Sequence, residues 1–121
     1  MANLILYHNP RCSKSRKALE YLEQSGLDFT VIDYLKTGLV PEQLDSLSQL
    51  LCLKFQEFIR TKESVFKELE LGDKNLSQKD WSEIISQNPI LLERPIISST
   101  KSAVIARPPE LVLEFIEKIN K

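Results

Sequence analysis

The stretch Leu4-Ile5-Leu6-Tyr7-His8-Asn9-Pro10-Arg11-Cys12-Ser13-Lys14-Ser15-Arg16-Lys17-Ala18-Leu19 decides how this chain is read. Its apolar run Leu4-Ile5-Leu6-Tyr7 predicts a strand, and the pattern from Lys17 to Gln24 predicts a helix. A tight loop joins them, with Cys12 at the junction. Backbone N–H groups at a helix start have no intrahelical partner, and the helix dipole adds partial positive charge there. Both favour a thiolate over a thiol, as do Arg11, Lys14, Arg16 and Lys17 nearby. From His8 to Lys17 there are four formal positive charges and no carboxylate. The loop therefore offers a nucleophile inside an anion-binding environment.

A lone cysteine is more often a small buried hydrophobe than a nucleophile, and a basic helix start can be a solvated face. The coincidence of cysteine, helix start and unopposed positive charge is what singles out Cys12. His8 either biases Cys12 toward the thiolate or merely ends the strand, and the residues alone leave both readings open. The spacing excludes two enzyme classes. A Cys-x5-Arg phosphatase loop needs arginine where Ala18 stands, and a Cys-x-x-Cys redox pair needs cysteine where Ser15 stands. A nucleophile here has no resolving partner within its own loop.

Outward from the loop, 121 residues make one domain with a real core, and 42% hydrophobic with 27% charged residues is ordinary soluble composition. The net charge of −1 gives no reason to expect nucleic acid or membranes as partners. The positive charge is local, which suits a small anion. Two cysteines forty positions apart, without a signal segment, lead to the expectation of a reducing, cytoplasmic setting.

After the first helix, Gly26 offers a stop and Phe29-Thr30-Val31-Ile32-Asp33-Tyr34 reads as a strand. Strand, helix and strand with short joints predict a βαβ unit with parallel strands. Pro41 suits the first turn of a new helix, and a helical pattern follows to Asn88 through Leu44, Leu47, Leu51, Phe55, Phe58, Ile59, Val65, Phe66 and Leu69. Ser77 with Asp80 resembles a capping box for a helix carrying Trp81, Ile84 and Ile85. Cys52, within Leu50-Leu51-Cys52-Leu53, is expected to be a buried packing residue. Pro89 breaks the helix. Ile96-Ile97-Ser98-Ser99 and Ala103-Val104-Ile105-Ala106 predict a hairpin through Thr100-Lys101-Ser102. A final helix follows Arg107-Pro108-Pro109-Glu110, with Val112, Phe115, Ile116 and Ile119 on its apolar side. The expected architecture is α/β, a small mixed four-stranded sheet covered by helices, in one domain over 1–121 with a helical insertion at about 41–88.

The motifs Tyr7-His8-Asn9-Pro10-Arg11-Cys12, Ser15-Arg16, Arg60-Thr61-Lys62-Glu63, Glu93-Arg94-Pro95-Ile96 and Arg107-Pro108-Pro109-Glu110 stand in order along the chain. In them the chain resembles the glutaredoxin-coupled arsenate reductase (ArsC) family, of thioredoxin-like fold. The resemblance covers essentially the whole chain. Where better-known members read Cys-Gly-Thr-Ser-Arg, this chain reads Cys12-Ser13-Lys14-Ser15-Arg16, closer to a YfgD-like branch. The resemblance implies Cys12 as nucleophile and Arg60, Arg94 and Arg107 as an oxyanion site. It implies His8 as the residue that lowers the Cys12 pKa, with Ser15 and Arg16 in support, and a cis peptide before Pro95. It also implies reduction of arsenate to arsenite, with glutathione as co-substrate and glutaredoxin as partner, in a monomer without bound metal or cofactor. Guanidinium groups suit such an oxyanion because they bind it bidentately and keep their charge.

Two other classes share the fold. Spx-like regulators bind RNA polymerase and sense oxidation through a Cys-x-x-Cys pair, which Ser15 removes here. Glutathione-dependent thiol-disulfide reductases need the cysteine but have no evident need for the arginines.

Overall fold

The computed structural model describes residues 4–119; residues 1–3 and 120–121 of the expected domain lie outside them. The chain divides into two compact units. One takes the chain up to Thr37 and again from Arg94, and the other is Gly38–Glu93.

The first unit is built on the expected sheet. Strand β1 (Leu4–His8) leads through the loop to helix α1 (Ser13–Ser25), which Gly26 ends in the left-handed conformation at φ 76°. An L side chain is strained there and glycine is not. Strand β2 (Phe29–Asp33) returns parallel to β1, with Leu4 opposite Phe29 and His8 opposite Asp33. A single helical turn, α2 (Tyr34–Thr37), follows. After the second unit the chain comes back as β3 (Ile96–Ser98), antiparallel to β1, and β4 (Ala103–Ile105), antiparallel to β3. The sheet order is β2-β1-β3-β4. The Ser99 hydroxyl closes the hairpin by accepting from the N–H groups of Lys101 and Ser102, each at 3.2 Å.

Side chains alternate across a strand, so Leu4 and Leu6 of β1 point to one face together. There they join Ile97, Ala18 and Leu22 of α1, and Ala106, Val112 and Phe115 in one core cluster. Val112 and Phe115 belong to the last helix, which covers Leu111–Ile119. Leu6, Leu22, Ile97 and Val112 are fully buried, and each such side chain contributes roughly 1.5–3 kcal/mol relative to exposure.

The second unit differs from the continuous helical pattern expected of it. Helix α3 (Pro41–Leu51) ends at Cys52, which takes the left-handed conformation at φ 58°. A 3-10 turn at Phe55–Glu57, the short α4 (Ser64–Glu68) and another turn at Leu71–Asp73 precede α5 (Gln78–Gln87). Local polar groups decide these breaks. The Glu57 carboxylate accepts from the Lys54 N–H at 2.8 Å and starts a new turn there. The expected capping box opens α5, with Asp80 N–H to Ser77 Oγ at 3.1 Å and Ser77 N–H to Asp80 Oδ2 at 3.2 Å. Leu44, Leu47, Phe55, Phe58, Trp81 and Ile85 are buried in this unit. The segment around Ile59 pairs with Leu92 in an antiparallel bridge that no periodicity signalled.

The last helix, named α6 in chain order, is short, and no described helix is long and apolar enough to cross a membrane.

Candidate active site

In the first unit the topology gathers the chemistry at one end of the sheet. β1 and β2 are parallel and finish together, at His8 and Asp33. β3 is antiparallel to β1 with Ile96 opposite Tyr7, so Arg94 and Pro95 enter the sheet at that same end. β4 leaves it there too, since Ile105 pairs with Ile96, and Arg107 follows two residues on. Ligands of open α/β sheets bind outside the carboxyl ends of parallel strands for this topological reason.

Cys12 is the residue immediately before α1, with extended backbone at φ −94° and ψ 122°. Its N–H donates to Asn9 O at 3.0 Å, and its carbonyl accepts from Arg16 N–H at 3.0 Å. The Asn9 side chain folds back so that Oδ1 accepts from Arg11 N–H at 3.0 Å, which ties down the turn. Arg16 Nη1 donates to Pro10 O at 2.9 Å, so this cation also braces the loop. The thiol itself is partly exposed.

Burial alone would raise the Cys12 pKa, but the N–H groups of Ser15 and Lys14 donate to the sulfur, as does the Arg94 guanidinium. Those donors and the Arg94 charge outweigh burial and hold the thiol below the usual cysteine value. His8 is the last residue of β1. It is buried with Nδ1 2.7 Å from Ser15 Oγ. Burial, with help from the Arg16 charge, holds its pKa below the ordinary imidazole value, against the pull of Asp33 and the Ser15 backbone.

Arg94 has two further donors, Nε and Nη1, that are buried without a hydrogen-bond partner. Buried donors of this kind suit an oxyanion. Arg107 Nη1 donates to Arg94 O at 3.0 Å and so fixes the backbone that carries the Arg94 side chain. The Arg94–Pro95 peptide is cis, and so is Arg107–Pro108. Arg60 belongs to the second unit. Its Nε is 3.1 Å from Glu63 Oε1 and its Nη1 is 3.0 Å from Glu93 Oε1. Burial works against its charge, and the two carboxylates outweigh that, so its pKa is raised.

Cys52 corrects an expectation. It is exposed, at the C-terminal end of α3, with Sγ 3.6 Å from Gln49 O. The apolar run around it predicted burial, but the left-handed turn at Cys52 takes its side chain off the apolar stripe that carries Leu44 and Leu47.

The chain as a whole has counterparts among known proteins. The ArsC family model matches residues 7–115. The chain belongs to the ArsC family. Among curated relatives of this ArsC protein, YfgD of Escherichia coli K12 is 42% identical, covering 92% of this chain and 94% of that one. An arsenate reductase of Haemophilus influenzae is 38% identical, covering 94% and 99% respectively. The solved structure of an arsenate reductase from Vibrio cholerae superposes with a TM-score of 0.87 at 43% identity, covering 93% and 97%. The fold is thioredoxin-like, as these neighbours have it.

Sequence reasoning missed the part played by Asn9, whose backbone and side chain together shape the loop. Asn directly before Pro was the available signal, since that pair favours a turn.

Proposed function

We propose that this ArsC protein reduces arsenate to arsenite with glutathione and glutaredoxin, through a covalent bond between Cys12 and arsenic. The observation that carries the reading is Cys12 at the start of α1, where the backbone of Ser15 and Lys14 and the Arg94 guanidinium lower its pKa. The unpartnered Arg94 donors beside it support an oxyanion as the species bound. The relatives named arsenate reductase support arsenate as that oxyanion.

The Cys12 thiolate attacks arsenic and an oxygen leaves as hydroxide, which takes up a proton to become water. Arg94, held in place by Arg107, neutralises negative charge on the remaining oxygens. Arg60, which the resemblance implies as a third oxyanion residue, lies in the other unit, where Glu63 and Glu93 hold its guanidinium. Ser15 offers a hydroxyl rather than a second thiol, so the next sulfur comes from glutathione, which displaces a second arsenic oxygen as water. Glutaredoxin then accepts the glutathione sulfur as a mixed disulfide. Forming that S–S bond supplies the two electrons that take As(V) to As(III); water then replaces the Cys12 sulfur on arsenic, so that arsenite leaves and Cys12 returns as thiolate. A cytoplasmic monomer fits this scheme, because reduced glutathione is a cytosolic thiol.

Consumption of NADPH in an assay coupled through glutathione, glutaredoxin and glutathione reductase tests the reading. Turnover with arsenate that disappears when either glutathione or glutaredoxin is omitted is expected. Turnover only with a small mixed disulfide would reassign the protein as a thiol-disulfide reductase.

A further inference from the structure

Arg11, Lys14, Arg16 and Lys17 stand in the cysteine loop and the first turns of α1, and the fold uses only the last two. Arg16 donates from Nη1 to Pro10 O at 2.9 Å. Lys17 Nζ lies 3.5 Å from Glu20 Oε2 and 5.2 Å from the centre of the Tyr21 ring. Arg11 and Lys14 are different. Both are exposed, and among the described residues neither side chain has a hydrogen-bond or ion-pair partner. They flank Cys12 in the chain, one just before it and the other just after Ser13, and no carboxylate stands between His8 and Lys17. Lys14 also stands where the better-known members carry threonine. The Cys12 thiol between them is partly exposed, so a second sulfur can approach it. The oxyanion reading draws on Arg94 and leaves this outer pair unused.

We propose that Arg11 and Lys14 are specificity-determining residues that hold the terminal carboxylates of glutathione while its central thiol meets the chemistry at Cys12. Glutathione carries its thiol on the middle residue and a carboxylate at each end, with a single ammonium, so it is a net anion. A cation on either side of Cys12 along the chain suits that layout. The Arg11 guanidinium and the Lys14 ammonium keep their donors and their charge for such a ligand, whereas Arg16 and Lys17 have committed theirs to the protein itself. The chain as a whole has a net charge of −1, so the attraction is local to the loop. This role concerns the incoming thiol and not the Cys12 thiolate. A change in Cys12 nucleophilicity applies equally to a charged and a neutral reagent, and the two effects can therefore be separated. The inference rests on the proposed use of glutathione and names the residues that select it.

The rate at which oxidised glutathione modifies Cys12, compared with that of its diethyl ester, tests this, because the ester blocks both glycine carboxylates. With either reagent the Cys12 thiolate attacks one sulfur, the reagent's S–S bond breaks, a Cys12–glutathione disulfide forms, and the other glutathione leaves as thiolate. Peptide mass mapping reads Cys12 separately from Cys52. At low ionic strength the unsubstituted protein should react about ten-fold faster with the acid than with the ester, about three-fold for each cation, as for a unit charge several ångströms away across water. Added sodium chloride should bring the two rates together. Arg11→Gln and Lys14→Thr should each lower the ratio to about three, and the double variant should lower it to about one. A ratio near one in the unsubstituted protein overturns the proposal, and that measurement needs no variant to fold. A ratio that survives in the double variant also overturns it, because other cations would then select the reagent. Arsenate enters neither measurement. The expected ratios without arsenate turnover would count against the reductase reading alone, and glutathione-dependent turnover with a ratio near one would count against this proposal alone.

Discussion

The two cysteines sit at opposite kinds of helix end. Cys12 precedes α1, where N–H groups of Lys14 and Ser15 converge on its sulfur. Cys52 follows α3, where its sulfur lies 3.6 Å from the Gln49 carbonyl oxygen. Helix starts present donors and positive partial charge; helix ends present acceptors and negative partial charge. One side chain is thereby offered stabilisation of its anion and the other is not. The comparison teaches that position relative to a helix, rather than residue type or exposure, makes a thiol a nucleophile. Cys52 is the more exposed of the two and the less suited to the chemistry.

The largest effect expected from breaking this contrast is on turnover. Cys12→Ser should reduce arsenate turnover to the uncatalysed background, while Cys52→Ser should retain most of it in the same coupled assay. A Cys52→Ser variant that stays folded yet loses turnover would make Cys52 the resolving thiol and remove the need for glutathione.

Next in size is Arg94, whose guanidinium contributes to one side of the contrast only. Sulfate or phosphate should protect Cys12 from alkylation, and Arg94→Ala should weaken that protection by about 1.5–3 kcal/mol, the range for hydrogen bonds to charged groups. Arg94→Lys should recover part of this, since it keeps the charge without the planar fork. Protection unchanged in Arg94→Ala would separate the thiol from any oxyanion site.

The pH dependence sharpens the same point. In Cys52→Ser, alkylation of Cys12 should show an inflection below the free-cysteine value of ~8.5. Because the native value is the lower one, the unfolded state holds more protons between the two values. Stability from this group is therefore complete above about pH 8.5 and is lost as pH falls through the native value. Urea midpoints of Cys52→Ser, compared with the Cys12→Ser, Cys52→Ser double variant, should diverge with rising pH across that window. Parallel curves would contradict a stabilised thiolate.

The smallest expected effect concerns the backbone at the other helix end. Cys52 holds φ at 58°, where a side chain costs roughly 1 kcal/mol that glycine avoids. Cys52→Gly should raise the urea unfolding free energy by about 0.5–1 kcal/mol and leave Cys12 chemistry untouched. A loss of stability would mean that the Cys52 side chain contributes packing its exposure does not suggest.

The sequence alone was sufficient for the elements whose signals are local. An apolar run gave β1, Gly26 gave the end of α1, and Ser77 with Asp80 gave the start of α5, because each depends on neighbours within one or two turns. Cys12 could be singled out for the same reason, since a helix start and its charges lie within a few residues of the thiol. The burial of Cys52 was misjudged because a left-handed turn reverses which way a side chain points, and the surrounding leucines do not signal it. The arginines needed a family resemblance, since Arg94 is far from Cys12 in the chain and arrives beside it only through the antiparallel pairing of β3 with β1. The contact of His8 with Ser15 was also beyond the sequence. It needs a hydroxyl seven residues away, brought within 2.7 Å by the packing of α1 against β1. Local patterns fix what a segment can become, and tertiary pairing decides which distant donors meet it, because only the folded sheet sets those distances.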